Sequence, residues 1–323
     1  MTYRRSVAMG ALAAVIAASS VMPALAQFGF GGGGNQFTPD EGARDFKSVL
    51  FNWTWHMGML RGQSEVELVQ TLEYRAEGTV QVNGQPCTIT EYEDAEPGVL
   101  GTAGYRISAN YRYPAYRTEI ECTLPNGQTY SNIETIHGEY VWDEDIPGAE
   151  LVPGEGTATP RPGAYEERMI RLWASPHGAP KAALAAAAGV STEQAFAENP
   201  ASLLDGSQGQ PMATLEWRGS KPVITYPIPG VPGAMATATL SEEYLPEQVI
   251  VTHDGDTTEF IYGNYGDFNN PLHRIEAYYA GTIVERHNGE VVRDLRTVVT
   301  EIGQVYVIVP VPDSVRAAGP ATN

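Results

Sequence analysis

From Met212 onward the chain is cut into short alternating segments by tight-turn residues, with no helix-length pattern between them. "MATLEWR", "PVITYPIP", "AMATATL" and "EQVIVTHD" follow one another, with "GVPG" (Gly230 to Gly233) between the second and third. Asp254-Gly255-Asp256 turns the last of these into "TTEFIYGNY". "HRIEAYYAG" and "TIVERH" come next, Asn288-Gly289 leads into "EVVRDLRTVVTEI", and "VYVIVPVPDSV" closes the chain. Period-two alternation bounded by such turns marks half-buried antiparallel strands. A parallel sheet needs a long crossover after each strand, and no βα alternation is present. A doubly wound α/β fold is therefore excluded. The sequence contains no internal repeat.

The first third has the same character. "QTLEYRAEGTVQV" breaks at Asn83-Gly84, with "PCTITEYE" as its hairpin partner. "GYRISANYRYPAYRTEIECTL" alternates aromatic and arginine residues, and Pro125-Asn126-Gly127 turns it into "QTYSNIETIHGEYVWDED". Residues 146–163 are a Pro- and Gly-rich loop. Helices are expected in three places. The first spans 38–61, with Thr38 as cap, Pro39 in the first turn and Glu41 completing a capping box, and it stops at Gly62. Phe46, Val49, Leu50, Trp53, Met57 and Leu60 form its apolar stripe, with Trp55 and His56 partly off it. The second is "AYEERMIRLWA", interrupted at Pro176. The third is "APKAALAAAAG", from near Pro180 to Gly189, followed by a polar loop over 190–212. The pattern predicts an α+β, mostly β fold: one strongly curved antiparallel sheet with helices covering its inner face.

Residues 1–26 read as a cleavable signal peptide. "MTYRR" is a basic start, "SVAMGALAAVIAASSVM" an apolar run too short to span a bilayer, and Ala24 and Ala26 give the small-residue cleavage pattern before Gln27. No Cys follows the cleavage point, which argues against a lipid anchor. The Arg4-Arg5 pair hints at twin-arginine export, but the residues after it favour the general secretory route. Residues 27–37 are a Gly-rich flexible leader, 38–316 a single domain and 317–323 a disordered tail. The expected location is the periplasm or outside the cell, with no transmembrane span. Net charge is −19, or −21 without Arg4 and Arg5. An acidic chain repels phosphate backbones and anionic lipid surfaces, so nucleic-acid binding and polybasic membrane docking are excluded. Cys87 and Cys122 are the two cysteines, both in strand-like segments and without CxxC spacing. In an oxidising compartment they read as a structural disulfide.

The residues that carry chemistry favour no reaction. His56, His137, His177, His253, His273 and His287 are at least 14 residues apart, and no zinc motif is present, so no metal and no cofactor is expected. Ser175 and His177 in "SPHG" suggest a triad, yet Ser175 lacks a nucleophile elbow. Ser175 reads better as a helix cap before Pro176, with His177 bonding the adjoining turn. The acidic clusters 91–96 and 142–148 read as solvated loops, "DGD" at 254–256 is too short for a calcium loop, and "GFGGGGN" lacks the lysine of a phosphate loop. Trp53, Met57, Met169 and Trp173, with the many strand tyrosines, either fill an ordinary helix–sheet core or line a ligand cavity.

Six stretches in order then point to a family. "LEYRAEGTV" resembles a first strand of the type "YSGSG". "YRISANYRYPAYRTEI" resembles an aromatic-arginine strand, and "HGEYVWDE" a strand that often reads "SGDYAW". "RLWASPHGAPKAAL" is similar to "WLTPHGFLKAA", "TEFIYGNYGDFNNPLHRIEAYYAGTIV" to "YSDYRDFGGVKFPARI", and "VPVPDSVR" to "VPDAVR". Together they cover roughly residues 66–316 and resemble the non-catalytic region found ahead of some metallo-β-lactamase-fold hydrolases in exported bacterial proteins, of LolA/LppX-like type. The resemblance implies an open half-barrel with helices in its concavity. It also implies a non-enzymatic role holding an apolar or amphipathic, lipid-like ligand between helices and sheet, with Trp53, Met57, Met169 and Trp173 as lining. The chain stops where the hydrolase would begin, so no hydrolase activity is carried over. Two other readings stay open. One is an envelope scaffold that pairs a sheet edge with a protein partner. The other is a hydrolase using carboxylates of the concave face.

Overall fold

In the computed structural model, the described residues are 40, 42, 44–59, 69–91, 93, 104–197, 209–269, 277–303 and 307–321. Residues 1–37, expected as signal peptide and leader, and His273 lie outside them. The chain divides at Thr38/Pro39, and the sheet and helices all belong to the unit Pro39–Asn323.

Among the described residues, fourteen strands form one antiparallel sheet in two halves. The first half holds β1 (Thr71–Val82), β2 (Gln85–Ile89), β3 (Tyr105–Asn110), β4 (Ala115–Thr123), β5 (Thr129–His137), β6 (Tyr140–Glu144) and β7 (Ala158–Pro160). The second holds β8 (Thr214–Arg218), β9 (Lys221–Pro227), β10 (Met235–Leu240), β11 (Pro246–His253), β12 (Asp256–Gly263), β13 (Thr282–His287) and β14 (Glu290–Ile302). Across the sheet the order is β7-β6-β5-β4-β2-β1-β14-β13-β12-β11-β10-β9-β8. Each half therefore runs outward or inward through sequence neighbours, and the first and last strands meet at the centre. β3 shares a position with β2, end to end: β1 pairs with β3 through Thr71–Arg75 and with β2 through Thr79–Val82.

The chain leaves one edge of the sheet at β7 and re-enters at the other edge at β8. The connection must cross the whole sheet, and it does so with helices. These are α2 (Tyr165–Ala174), α3 (Gly178–Ala188) and the short α4 (Thr192–Ala197). α1 (Phe46–His56) packs on α3, and α5 (Asp313–Ala318) packs beside β7. Ten of the eleven residues of α3 are buried. Its alanines let the helix approach both β9 and α1 closely, which larger side chains would prevent.

The curl of the sheet can be read from one contact. Glu134 on β5 and Arg293 on β14 are four strand positions apart. On a flat sheet that is roughly 19 Å at about 4.8 Å per strand, more than the two side chains can span. They meet at 3.1 Å. Register slips at Arg75/Ala76, Thr239/Leu240 and Glu285/Arg286 supply local bends. The sequence-based fold class, a curved and mostly β α+β structure, is what the molecule has.

Several local expectations need correction. α1 starts at Asp45, whose Oδ1 accepts the Ser48 N–H at 3.0 Å and whose Oδ2 accepts the Ser48 hydroxyl at 2.7 Å. This doubly bonded cap sets the start in place of Thr38. The helix ends before Gly58, at φ 77°, and not at Gly62. The aromatic-arginine stretch is a hairpin: Asn110 Oδ1 accepts the N–H groups of Arg112 and Tyr113, and Pro114 ends the turn without a donor. Residues 307–312 form no strand. Pro310 and Pro312 cannot donate to a ladder, and the segment is tied down by side chains instead, with Asn110 Nδ2 donating to the Val307 carbonyl at 3.1 Å. In the stretch expected as a disordered tail, α5 runs through Ala318 and the Ala321 N–H donates to the Glu139 carbonyl at 2.7 Å.

Cys87 and Cys122 are bonded, on the adjacent strands β2 and β4. With a separation of 35 residues, the chain-entropy account puts the bridge at about 3–4 kcal/mol.

Candidate functional site

Alternation along a strand sends residues i and i+2 to the same face. Five strands do this at one place: Leu72 and Tyr74 of β1, Tyr105, Ile107 and Ala109 of β3, Phe260 and Tyr262 of β12, Ile283 and Glu285 of β13, and Arg293 and Leu295 of β14. With Tyr116, Tyr111 and Tyr279 they floor a cavity over the middle of the sheet. Arg171, Leu172, Ser175 and Pro176, from the last turn of α2 and the junction after it, form its roof. The cavity is tight, about 40 Å³. At about 10–15 Å³ for one water, it has room for a few small atoms.

The roof is held by tyrosines from the sheet side. The last carbonyls of a helix have no partner within it. The Tyr226 hydroxyl donates to the Trp173 carbonyl at 3.4 Å, and the Tyr262 hydroxyl to the Ala174 carbonyl at 2.7 Å. The Tyr111 hydroxyl lies 3.1 Å from Ser175 Oγ. Ser175 in turn caps α3, since its Oγ accepts the Gly178 N–H at 3.1 Å and its carbonyl the Ala179 N–H at 2.9 Å. Gly178 is needed for this close approach: a Cβ there would stand 2.0 Å from the Leu172 carbonyl oxygen.

"SPHG" is thus a helix junction, as the capping pattern predicts, and Ser175 Oγ is occupied by structural bonds. His177 departs from the expected role. Its Nε2 donates to the Tyr278 carbonyl at 2.8 Å, across the cavity wall and not within the adjoining turn. The ring is fully buried and edge-on to Tyr279. Burial pushes its pKa down to about 3, which keeps the imidazole neutral. One helical turn on, Lys181 is also buried, over the Tyr111 ring, and burial pushes its ammonium down to about 7.

A buried ion network closes one side of the cavity. Arg171 Nε donates to both oxygens of Glu285, at 2.9 and 3.1 Å, and its Nη1 lies 3.5 Å from Glu134. Arg293 reaches Glu134 at 3.1 Å, Glu285 at 3.6 Å and the Tyr105 hydroxyl at 3.2 Å. Exposed Glu167 joins Arg171 from the outer side. Burial works to raise the Glu134 pKa, but Arg293, Arg171 and Arg168 outweigh it and hold the carboxyl below its usual range. Such an acid stays ionised and is unsuited to donate a proton. Among the described residues no group of three or more His, Cys, Asp or Glu is placed to hold a metal.

Other hydroxyls in the cavity are unused. Tyr74, Tyr116 and Tyr279 line it, are nine-tenths or more buried, and carry no hydroxyl hydrogen bond to a described residue. Burial holds the Tyr74 and Tyr279 phenols well above their usual range, and therefore neutral.

The four residues expected as lining, Trp53, Met57, Met169 and Trp173, come together in the main core, all within 3% of full burial. They are not on the walls of this cavity. Trp173 stands behind it, against Tyr111. The indole N–H groups of Trp53 and Trp173 are buried with no partner among the described residues. Sequence reasoning named the strand tyrosines as a class but missed Arg171, Glu134, Glu285 and Arg293. Each looks like an ordinary polar residue of an alternating strand or helix, and only the curl of the sheet joins them.

No family model and no curated protein sequence matches the chain. Five solved chains match in structure. One is a domain named for outer membrane lipoprotein sorting from Vibrio parahaemolyticus, with 8% sequence identity, covering 78% of this chain and 91% of that one, at a TM-score of 0.35.

Proposed function

We propose that this protein is a non-enzymatic, extracytoplasmic binding protein, periplasmic or secreted after cleavage at Ala26, that holds an apolar or amphipathic, lipid-like ligand between its helices and its sheet. The observation that carries this reading is the cavity between α2 and the centre of the sheet, with aliphatic and aromatic walls and a few polar groups at one side. That is the usual make-up of a small-molecule site. The disulfide fits an oxidising compartment. No helix among the described residues is long and apolar enough to cross a membrane.

At about 40 Å³ the cavity takes only part of such a ligand. An acyl chain would have to part α2 and α3 from the sheet and enter the core at Trp53, Met57, Met169 and Trp173. The driving force would be apolar burial, about 25 cal/mol per Å².

The test is native mass spectrometry of mature protein purified from its host's envelope, followed by solvent extraction. A bound mass of lipid size is expected. A clean apo mass, with no uptake of a fluorescent lipid probe, overturns the reading and favours an envelope scaffold. Trp173→Phe keeps most of the packing that Trp173→Ala, at about 3–5 kcal/mol, would lose. It should weaken uptake about tenfold or more while the melting temperature moves only a few degrees. An equal loss of both marks Trp173 as plain core.

A further inference from the structure

The cavity is specific about charge. Its arginines, Arg171 and Arg293, are already committed to Glu134 and Glu285, two cations to two anions, and Glu167 adds a further negative charge outside. An incoming anion would find both guanidiniums already bonded to carboxylates, one of which, that of Glu285, is itself on the cavity wall. What the cavity does offer is three phenol hydroxyls, those of Tyr74, Tyr116 and Tyr279, on residues that line it and without hydrogen-bond partners among the described residues. A ligand group that bonds these hydroxyls takes the place of water there, whereas an apolar group would leave them unpaired at a cost in free energy. A phenol can both donate and accept. The complementary chemical group is therefore uncharged and rich in oxygen, and small enough for about 40 Å³: a hydroxyl, ester or amide.

We infer that the cavity between α2 and the sheet recognises the uncharged polar head of a neutral amphiphile, through the hydroxyls of Tyr74, Tyr116 and Tyr279, and discriminates against anionic amphiphiles of the same chain length. This rests on the binding-protein reading above and gives it a ligand class. Tyr74 comes from β1, Tyr116 from β4 and Tyr279 from the segment before β13, and all three line the same cavity.

The experiment is competition for a neutral fluorescent probe, N-phenyl-1-naphthylamine, by 1-oleoylglycerol, oleate and oleylamine on the full mature chain at neutral pH. The glycerol ester is expected to displace the probe at least tenfold more tightly than oleate. Tyr74→Phe and Tyr279→Phe keep the rings and the packing, and each should shrink that preference at least threefold with little change in melting temperature. Glu285→Gln removes one carboxylate from the network and should move the preference toward oleate. Equal binding of all three amphiphiles, or tightest binding of oleate, overturns the head-group inference and leaves the binding-protein reading standing. If neither the probe nor any amphiphile binds, and the Tyr→Phe variants melt higher, the cavity holds only water and both readings fall.

Discussion

His177 shows how far burial can take a single side chain from its expected chemistry. Its imidazole is neutral in the folded chain down to about pH 3, whereas in the unfolded chain it takes up a proton near its ordinary value of 6.5. Between those two values the unfolded state holds more protons. Stability from this residue is therefore full above pH 6.5 and is lost progressively as pH falls toward 3, by an amount of order several kcal/mol. His177→Gln can still donate to the Tyr278 carbonyl but does not titrate. Urea midpoints at pH 7 and pH 4 should fall less for the variant than for the parent chain. Parallel losses would show that His177 contributes nothing to the acid sensitivity. Its place next to Ser175 was plain in the sequence, but its partner was not. The Tyr278 carbonyl lies 101 residues away, and no local pattern joins the two.

At the level of elements, local physics was readable and non-local physics was not. Asn83-Gly84, Asp254-Gly255 and Asn288-Gly289 are hairpin turns, all with positive φ at both residues, as their composition predicts. β14 runs from Glu290 to Ile302, the same bounds as its alternating segment. The errors came where a side chain intervened. Asn110 folds a long alternating stretch into a hairpin, and Asp45 overrides the Thr38 cap. The order of strands was not legible, because pairing β1 with β14 depends on residues more than 200 positions apart. The α2–α3 junction makes a clean test of element packing. Gly178→Ala puts a methyl against the Leu172 carbonyl and should cost about 1–3 kcal/mol. Because the junction roofs the cavity, probe uptake should change with it. A thermal melt that matches the parent chain would show that the helices can shift freely at this point.

For the molecule as a whole, net charge sets an expectation about partners. With a net charge of −19, the protein should stay in the supernatant when spun with vesicles rich in anionic lipid at physiological ionic strength. Co-sedimentation with such vesicles, and not with zwitterionic ones, would show a basic docking surface that the composition does not suggest. The expectation against nucleic-acid and polybasic membrane roles rests on charge alone. The cavity was not, because it exists only where strands from both halves of a curled sheet face one helix end.

The meeting of β1 with β14 at the centre of the sheet has a consequence for how the chain is made. A polypeptide that emerges from a ribosome or a translocation channel starting at its N-terminus offers β1 first and β14 almost last. Each half can form hairpins with its own neighbours as it appears. The edge of β1 that belongs to β14 must wait until residue 302 is out, and an open edge of this kind is a template for pairing with other chains. Through that interval the molecule depends on speed, or on an escort, to reach its final step without a stranger filling the gap.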